Sequence, residues 1–509
     1  MPVLQRISVT VFLIAVLAGC ASLPEEVNHP TEPVEQQVSS TLSELSDAFR
    51  LSNASKETSA VLLQDTGWDA LAQRLALIET AEQSIDIQYY IWNSDASGHY
   101  LANRLLAAAD RGVKVRVMLD DINLNEREDL LVTLDSHPHV EIRVFNPIPS
   151  RKGVSKWLNV LSDFSRLNRR MHNKSFTVDG ALSIVGGRNI GDEYFDLSEE
   201  INFRDRDVLV MGSVVPEIQK SFINYWDSTW SYPVELLGGE PSDSLMLGEI
   251  ATPTYKNYPA LPEGNETSKL FMKQAMSEMT WVEAHFISDR PVPLDSENTS
   301  EPKATAQLLG KLSSESEQEV LLESAYLIFD DGQLEQWQSL ADSGVQIKAL
   351  TNSMASNDLA TNHSGYAARR QDMLEHGIQL FELKPEAQVC EESTQDISKC
   401  APTMPYGLHA KSAVFDNKIA AIGSFNFNLR STYLNTESLL IINSSSVASQ
   451  LALDIEHAMN EDNSWRLGLN DGEVQWSSGS QIWDSEPDTG NWERIKSSLL
   501  QLLPIEKYL

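Results

Sequence analysis

The chain has 509 residues, 41% of them hydrophobic and 22% charged, and its 39 Lys and Arg against 73 Asp and Glu give a net charge of −34. That balance excludes global disorder and supplies apolar residues for about three domains at roughly 150 residues each. A chain this acidic has no whole-molecule attraction for nucleic acid, and no internal apolar run approaches the ~20 residues that span a bilayer, so a polytopic membrane protein is excluded.

Residues 1–20 read as an export signal: Arg6 is followed by an apolar run from Ile7 to Gly19 of signal-peptide length. It ends Leu17-Ala18-Gly19-Cys20, which resembles the lipobox of bacterial lipoproteins. The resemblance implies acylation of Cys20, a lipid-anchored protein of the bacterial envelope facing the periplasm, and, with Ala21 next, the outer membrane over the inner. Residues 21–55, with Pro24, Pro30 and Pro33 among glutamates, read as a flexible tether. Once Cys20 is acylated, only Cys390 and Cys400 remain, ten positions apart in an exported chain. They form one local disulfide or stay two free thiols.

The rest of the chain says the same thing twice. "SIDIQYYIW" from Ser84 alternates as a strand, "GHYLANRLLAAADRG" has helical spacing with Gly112 as stop, and "VKVRVMLDD" is a second strand. From Val320, "VLLESAYLIF", "QLEQWQSLADSG" with Gly344 as stop, and "VQIKALTN" repeat that order. "VEIRVFNP" and "IQLFELKP" then end at Pro147 and Pro385. Gly112 to Gly344 is 232 positions and Pro147 to Pro385 is 238, a near-constant offset that signals two copies of one unit. The expected fold is α/β: two similar α/β/α halves related by a pseudo-twofold axis, each with a mixed, mostly parallel sheet. The boundaries fall at 56–280 for the first half, with a connecting insertion from about 232, and 281–509 for the second with a C-terminal extension.

A third pair of matches carries chemistry. "HNKSFTVD" and then "GGRN" supply His172, Lys174, Asp179, Gly186, Gly187 and Asn189; "HAKSAVFD" and then "GSFN" supply His409, Lys411, Asp416, Gly423, Ser424 and Asn426. The steps from each histidine are the same, and the offset, 172 to 409, is 237. On a strand, residues i and i+2 share a face, so each His–Lys pair points one way. Two imidazoles and two ammonium groups converging about a twofold suit a phosphodiester. The lysines stabilise charge on the non-bridging oxygens, one imidazole attacks phosphorus to form a phosphohistidine, and the other moves the proton. Gly-Gly and Gly-Ser let backbone approach closely, and Asn189 and Asn426 can donate hydrogen bonds. Nothing in the pattern requires a metal or other cofactor, and two site lysines would repel a cation.

This duplicated His-x-Lys-x4-Asp pattern resembles the hallmark of the phospholipase D superfamily. The segments "LLAAADRGVKVRVMLDD", "DFSRLNRRMHNKSFTVDG", "VGGRNIGDEYF", "LTNSMASND" and "IGSFNFNLRSTYLNTE" extend the likeness, over roughly residues 65–509, to the C-type cardiolipin synthases. The resemblance implies transfer of a phosphatidyl group from phosphatidylethanolamine to phosphatidylglycerol. It implies His172 as nucleophile, His409 as acid and base, and a carboxylate downstream of each histidine to orient it. Glu437 fits that role in the second copy and Asp205 or Asp207 in the first, Asp205 aligning better; Asp179 and Asp416 would support the fold. Gly187 stands where the superfamily often has Ser, and Asn428-Leu429 where Asp-Pro is common.

Residues 151–174 hold Arg151, Lys152, Lys156, Arg166, Arg169, Arg170 and Lys174 against Asp163, seven minus one or +6, with Trp157, Leu158, Leu161 and Phe164 interleaved. Basic and apolar residues together suit an anionic headgroup at an interface, with Arg169 and Arg170 as substrate-binding candidates. The partners implied are phospholipids and a membrane surface reached through the lipid anchor, with no nucleic acid; an accessory protein is left open. Hydrolysis to phosphatidic acid is the alternative outcome, because it differs only in which nucleophile reaches the phosphohistidine.

Overall fold

In the computed structural model the alternating stretches form strands that repeat in order. The first set is β1 (Ser59–Gln64), β2 (Ser84–Tyr89), β3 (Lys114–Asp120), β4 (Val140–Phe145), β5 (Ser175–Val178), β6 (Leu182–Gly186), β7 (Asn202–Arg204), β8 (Asp207–Gly212) and β9 (Ser231–Pro233). The second is β10 (Thr280–Ser288), β11 (Glu319–Ser324), β12 (Gln346–Asn352), β13 (Ile378–Leu383), β14 (Tyr406–Leu408), β15 (Lys411–Phe415), β16 (Ile419–Gly423), β17 (Ser438–Asn443), β18 (Ser464–Asn470), β19 (Glu473–Ser478) and β20 (Gln481–Trp483). The structure describes residues 27, 39–53, 56–124, 127–149, 164–242, 250–291, 301–501 and 508. The leader, Cys20, residues 21–26 and 28–38 of the tether and residues 151–163 of the basic stretch lie outside the described residues. The expectation of a flexible tether over 21–55 is corrected for its second part: Thr41–Ser52 is a helix capped by Ser40, with Leu42 in the core of the first half.

The crossover helices match as well. α1 (Ala96–Asp110) starts where the Asp95 carboxylate accepts from the Gly98 N–H, buries Leu101, Leu105 and Ala109, and ends at Gly112, whose φ of 96° is open to glycine. α2 (Val215–Trp226) follows β8. α3 (Asp331–Asp342) starts with a reciprocal Asp330–Gln333 cap and ends at Gly344, φ 97°. α4 (Ser445–Ala458) follows β17, as α2 follows β8.

Pairing gives the order β1-β8-β6-β5-β2-β3-β4-β9 in the first half. The second runs β10-β17-β16-β15-β11-β12-β13-β18-β19-β20. Both sheets are mixed, but the expectation of mostly parallel pairing is corrected. Within these two sheets only β2-β3-β4 and β11-β12-β13 run parallel, and the other pairs are antiparallel. The strand–helix–strand pattern marks those crossovers, whereas β5–β6 and β15–β16 are hairpins turning at Asp179-Gly180 and Asp416-Asn417, where φ is positive.

The halves share one continuous sheet because the equivalent edge strands β1 and β10 pair antiparallel, Ser59 opposite Val282. They also share a core. Val61, Val185, Val208 and Val210 of the first half pack with Val414, Ala420, Leu440 and Ile442 of the second. Two smaller contacts are reciprocal. Met171 bridges to Thr436, and β14 pairs with β7 so that Leu408 lies opposite Arg204. Reciprocal contacts of equivalent residues are what a local twofold produces. Cys390 and Cys400 form a disulfide with Cα atoms 5.9 Å apart.

Asp179 and Asp416, grouped with the catalytic motif on sequence, act as turn anchors. Asp179 accepts from the N–H groups of Glu82, Gln83 and Ser84, and Asp416 from those of Glu317, Gln318 and Glu319. Seven residues of extended chain, roughly 20 Å, separate each from its motif histidine. Asp179→Ala should therefore lower stability by about 2–4 kcal/mol, read from the denaturant midpoint, because buried backbone donors lose a charged acceptor. Asp179→Asn, whose amide oxygen still accepts, should recover part of the loss.

Candidate active site

His172 and Lys174 lie just before β5, and His409 lies just before β15, which Lys411 opens, on either side of the seam between the halves. Each histidine is held by backbone from the other half. The His172 N–H donates to Thr436 O (2.9 Å), and the His409 N–H donates to Arg204 O (2.7 Å). These contacts carry each imidazole to a carboxylate of the opposite half. His172 Nδ1 lies 2.8 Å from Glu437 Oε2, and His409 Nδ1 lies 2.5 Å from Asp205 Oδ2.

The downstream carboxylates were expected to serve the histidine of their own copy; the structure crosses them. The reason is the register of the seam: Thr436 and Arg204, one residue before each carboxylate, are the backbone partners of the opposite motif. Asp207, the other candidate, is instead committed to Arg74 at 2.7 Å.

Both carboxylates are fully enclosed and well provided with donors. Glu437 Oε2 also accepts from Ser424 Oγ (2.6 Å), and its Oε1 accepts from Ser431 Oγ (2.7 Å). The Glu437 backbone N–H is fixed by Asp289 Oδ2 (2.9 Å). Asp205 Oδ1 accepts from the Arg206 N–H (2.7 Å). Burial opposes ionisation of both acids. The facing imidazole, its hydrogen bond and a site lysine outweigh it and hold both below the ordinary carboxylate range. An ionised carboxylate only accepts, so Nδ1 carries the proton in each ring and Nε2 keeps its lone pair.

Lys174 Nζ donates to His172 O (2.6 Å), and Lys411 Nζ donates to His409 O. Both lysines are buried. Burial, and repulsion of Lys174 by Lys411, bring Lys174 down to about 7; burial brings Lys411 down to about 8 against the pull of Asp205 and Glu437. Burial and the two lysines lower His172 to about 4 and His409 to about 3, against the pull of their carboxylates. Each motif feels the charges of the other, so the four groups form one site. It holds neutral imidazoles beside crowded ammonium groups, an arrangement that an anion relieves.

The substrate-binding candidates divide. Gly187 makes room for Asp205: a Cβ there would fall 2.3 Å from Asp205 Oδ1. Ser424, its counterpart, faces Glu437, so a hydroxyl at this position serves the carboxylate and not a phosphate. Asn189 accepts from the Ile91 N–H and donates to Tyr194 Oη (2.9 Å). Asn426 Oδ1 is buried without a hydrogen-bond partner among the described residues. Arg170 is committed to Asp120 (3.3 Å) and Asn146 O (3.2 Å), which makes it a brace behind the site. Arg169 is buried beside it, and burial lowers its proton affinity.

The site also contains residues that motif spacing did not reveal. Tyr90 meets the His172 ring edge-on at 4.8 Å, and Tyr194 meets the His409 ring likewise at 4.9 Å. Tyr90 closes "SIDIQYY" just past a strand end, and Tyr194 lies five residues beyond Asn189, so position at strand ends was the available signal. Among the described residues no group of three His, Cys, Asp or Glu is placed to hold a metal ion.

Comparison with known proteins returns the same architecture. A family model described as "Cardiolipin synthase, PLD-like domain" matches residues 75–226 and 311–459. The chain is 38% identical over 450 residues to cardiolipin synthase C of Escherichia coli, covering 86% of this chain and 93% of that one. It is 30% identical over 515 residues to an uncharacterized protein of Helicobacter pylori, covering 98% and 99%. The crystal structure of phosphatidylserine synthase from Haemophilus influenzae superposes with a TM-score of 0.56 at 12% identity, covering 92% of this chain and 100% of that one, a likeness of fold.

The depressed histidines make stability pH-dependent. Between about 4 and the ordinary 6.5 the unfolded chain binds protons at these positions that the folded site refuses, so stability falls as pH drops through that window. The lysines act in the same sense from 10.5 down to about 7. Thermal midpoints should climb from pH 4 to 7 in the wild type, and less steeply in a His172→Gln/His409→Gln double variant.

Proposed function

The chain belongs to the phospholipase D-like family of cardiolipin synthase domains, and from that premise we propose that it joins a phosphatidyl group to phosphatidylglycerol, with phosphatidylethanolamine as donor. The observation that carries the reading is the crossed pair of imidazole–carboxylate contacts around two buried lysines. A phosphodiester placed there brings one negative charge into a site that has crowded two cations, and the lysines then stabilise the further charge that builds on the non-bridging oxygens.

His172 Nε2 attacks phosphorus, and the phosphorus–oxygen bond to the headgroup breaks. Glu437 steadies the imidazolium-like ring as the phosphohistidine forms. His409, paired to Asp205, gives its Nε2 proton to the departing oxygen. The anionic phosphate between the lysines raises the proton affinity of His409 once substrate is bound. In the return step His409 takes the proton of the incoming glycerol hydroxyl, which attacks phosphorus and frees His172. Water in place of the glycerol gives phosphatidic acid.

We place the protein at a membrane surface through acylation of Cys20, consistent with the lipobox-like leader and the phospholipid substrate. Among the described residues no helix is long and apolar enough to cross a membrane.

Purified protein with labelled phosphatidylglycerol and phosphatidylethanolamine should yield cardiolipin and ethanolamine. Phosphatidic acid without cardiolipin would replace the transferase reading by the hydrolase. His172→Ala or His409→Ala should lower turnover by about 10²–10⁴-fold, measured as headgroup release. Labelled palmitate should be incorporated in cells expressing the full chain and not in a Cys20→Ser variant.

A further inference from the structure

The two sides of the site differ, although the fold repeats. Tyr90 packs edge-on against the His172 ring at 4.8 Å, where charges of both signs, Asp120 and Glu437 with Arg430 and Arg170, surround it, and Arg430 donates to Asn168 O at 3.0 Å. His409 has another surround. Tyr194 meets its ring edge-on at 4.9 Å, Phe203 lies 5.4 Å away, and a third aromatic, Tyr326, follows Ala325, whose carbonyl shares the Asn352 amide (3.1 Å) with the carbonyl of Leu408 (2.7 Å), the residue before His409. The Tyr326 hydroxyl donates to both oxygens of Asp358, at 2.9 and 3.1 Å.

Asp358 is the one acid in this group that faces solvent, and it acts on the buried Lys411 ammonium. It stands in the loop between β12 and the helix Ala360–Glu375, and a hydrogen bond from the Leu359 N–H to Asn357 Oδ1 shapes that loop. The charge pattern is not inherited from the repeat: the first-half counterpart of Tyr406-Gly407, by the 237-residue offset, is Arg169-Arg170.

In-line displacement puts nucleophile and leaving group on opposite sides of phosphorus. With His172 attacking, the headgroup departs toward His409, the side of the tyrosines and Asp358. Aromatic faces with a carboxylate are a recognition device for ammonium groups. We propose that Asp358, with the rings of Tyr326 and Tyr194, binds the primary ammonium of the donor lipid's headgroup and so selects aminophospholipid donors. The inference rests on the phosphatidyltransferase reading and gives Asp358 the role of a specificity residue. It adds no covalent step.

The test is the ratio of kcat/KM for headgroup release from phosphatidylethanolamine over that from phosphatidylglycerol, with lipids in mixed micelles and release counted for transfer and hydrolysis alike. Losing a charge-assisted contact should cost about ten- to a hundredfold in that ratio for Asp358→Asn. Tyr326→Phe should move the ratio in the same direction by less, because it keeps the ring and removes only the hydroxyl that steadies the carboxylate. Equal loss with both donors would overturn the inference, since a carboxylate that only tunes Lys411 affects every phosphodiester alike. A wild type that releases ethanolamine no faster than His172→Ala would overturn the functional reading itself. Release from wild type with an unshifted ratio in Asp358→Asn would overturn this inference alone.

Discussion

Each half of this protein completes the other's imidazole–carboxylate pair. An imidazole can be steered by any nearby acceptor, but here the acceptor of each ring is a buried carboxylate on the opposite half, His172 with Glu437 and His409 with Asp205. A buried carboxylate is costly unless it is paired and hydrogen-bonded, and these two, which take other donors from their own half, gain their imidazole partner when the seam is in register. The apolar contact of Val185, Val208 and Val210 with Val414, Leu440 and Ile442 supplies the bulk attraction that holds the seam closed. The polar pairs specify which closed arrangement forms. Assembly of the halves and assembly of the site are therefore one event.

Much of this was legible in the residues. The repeat offsets locate both halves, the duplicated His-x-Lys motif locates both pairs, and the alignment favours Asp205, the acid that holds His409, over Asp207. Asp179 and Asp416 are expected to support the fold, and the structure shows how: the hairpin turn after β5 and β15 needs an acceptor for three consecutive N–H groups. Gly187 stands where the superfamily often has Ser, and sequence does not show that the position faces a carboxylate for which the glycine makes room. The crossing of the carboxylates was invisible because a tandem repeat does not say whether its copies serve themselves or one another.

The departures from symmetry matter for function as much as the repeat does. Two identical halves would give a site unable to distinguish its two sides, and a displacement that must send a leaving group one way needs that distinction. The structure provides it on the side of His409, where Tyr194 and Phe203 meet the ring and Tyr326 holds Asp358. The twofold supplies the shared core of two imidazoles and two lysines; the loops that break it supply direction.

The crossed pairing can be tested by cross-linking. His172→Cys/Glu437→Cys and His409→Cys/Asp205→Cys variants, oxidised in the folded state and mapped by peptide mass spectrometry, should each form an intramolecular disulfide joining the two halves. The within-half pairs His172→Cys/Asp205→Cys and His409→Cys/Glu437→Cys should not. Efficient bridging within the halves, with none across the seam, would contradict the account.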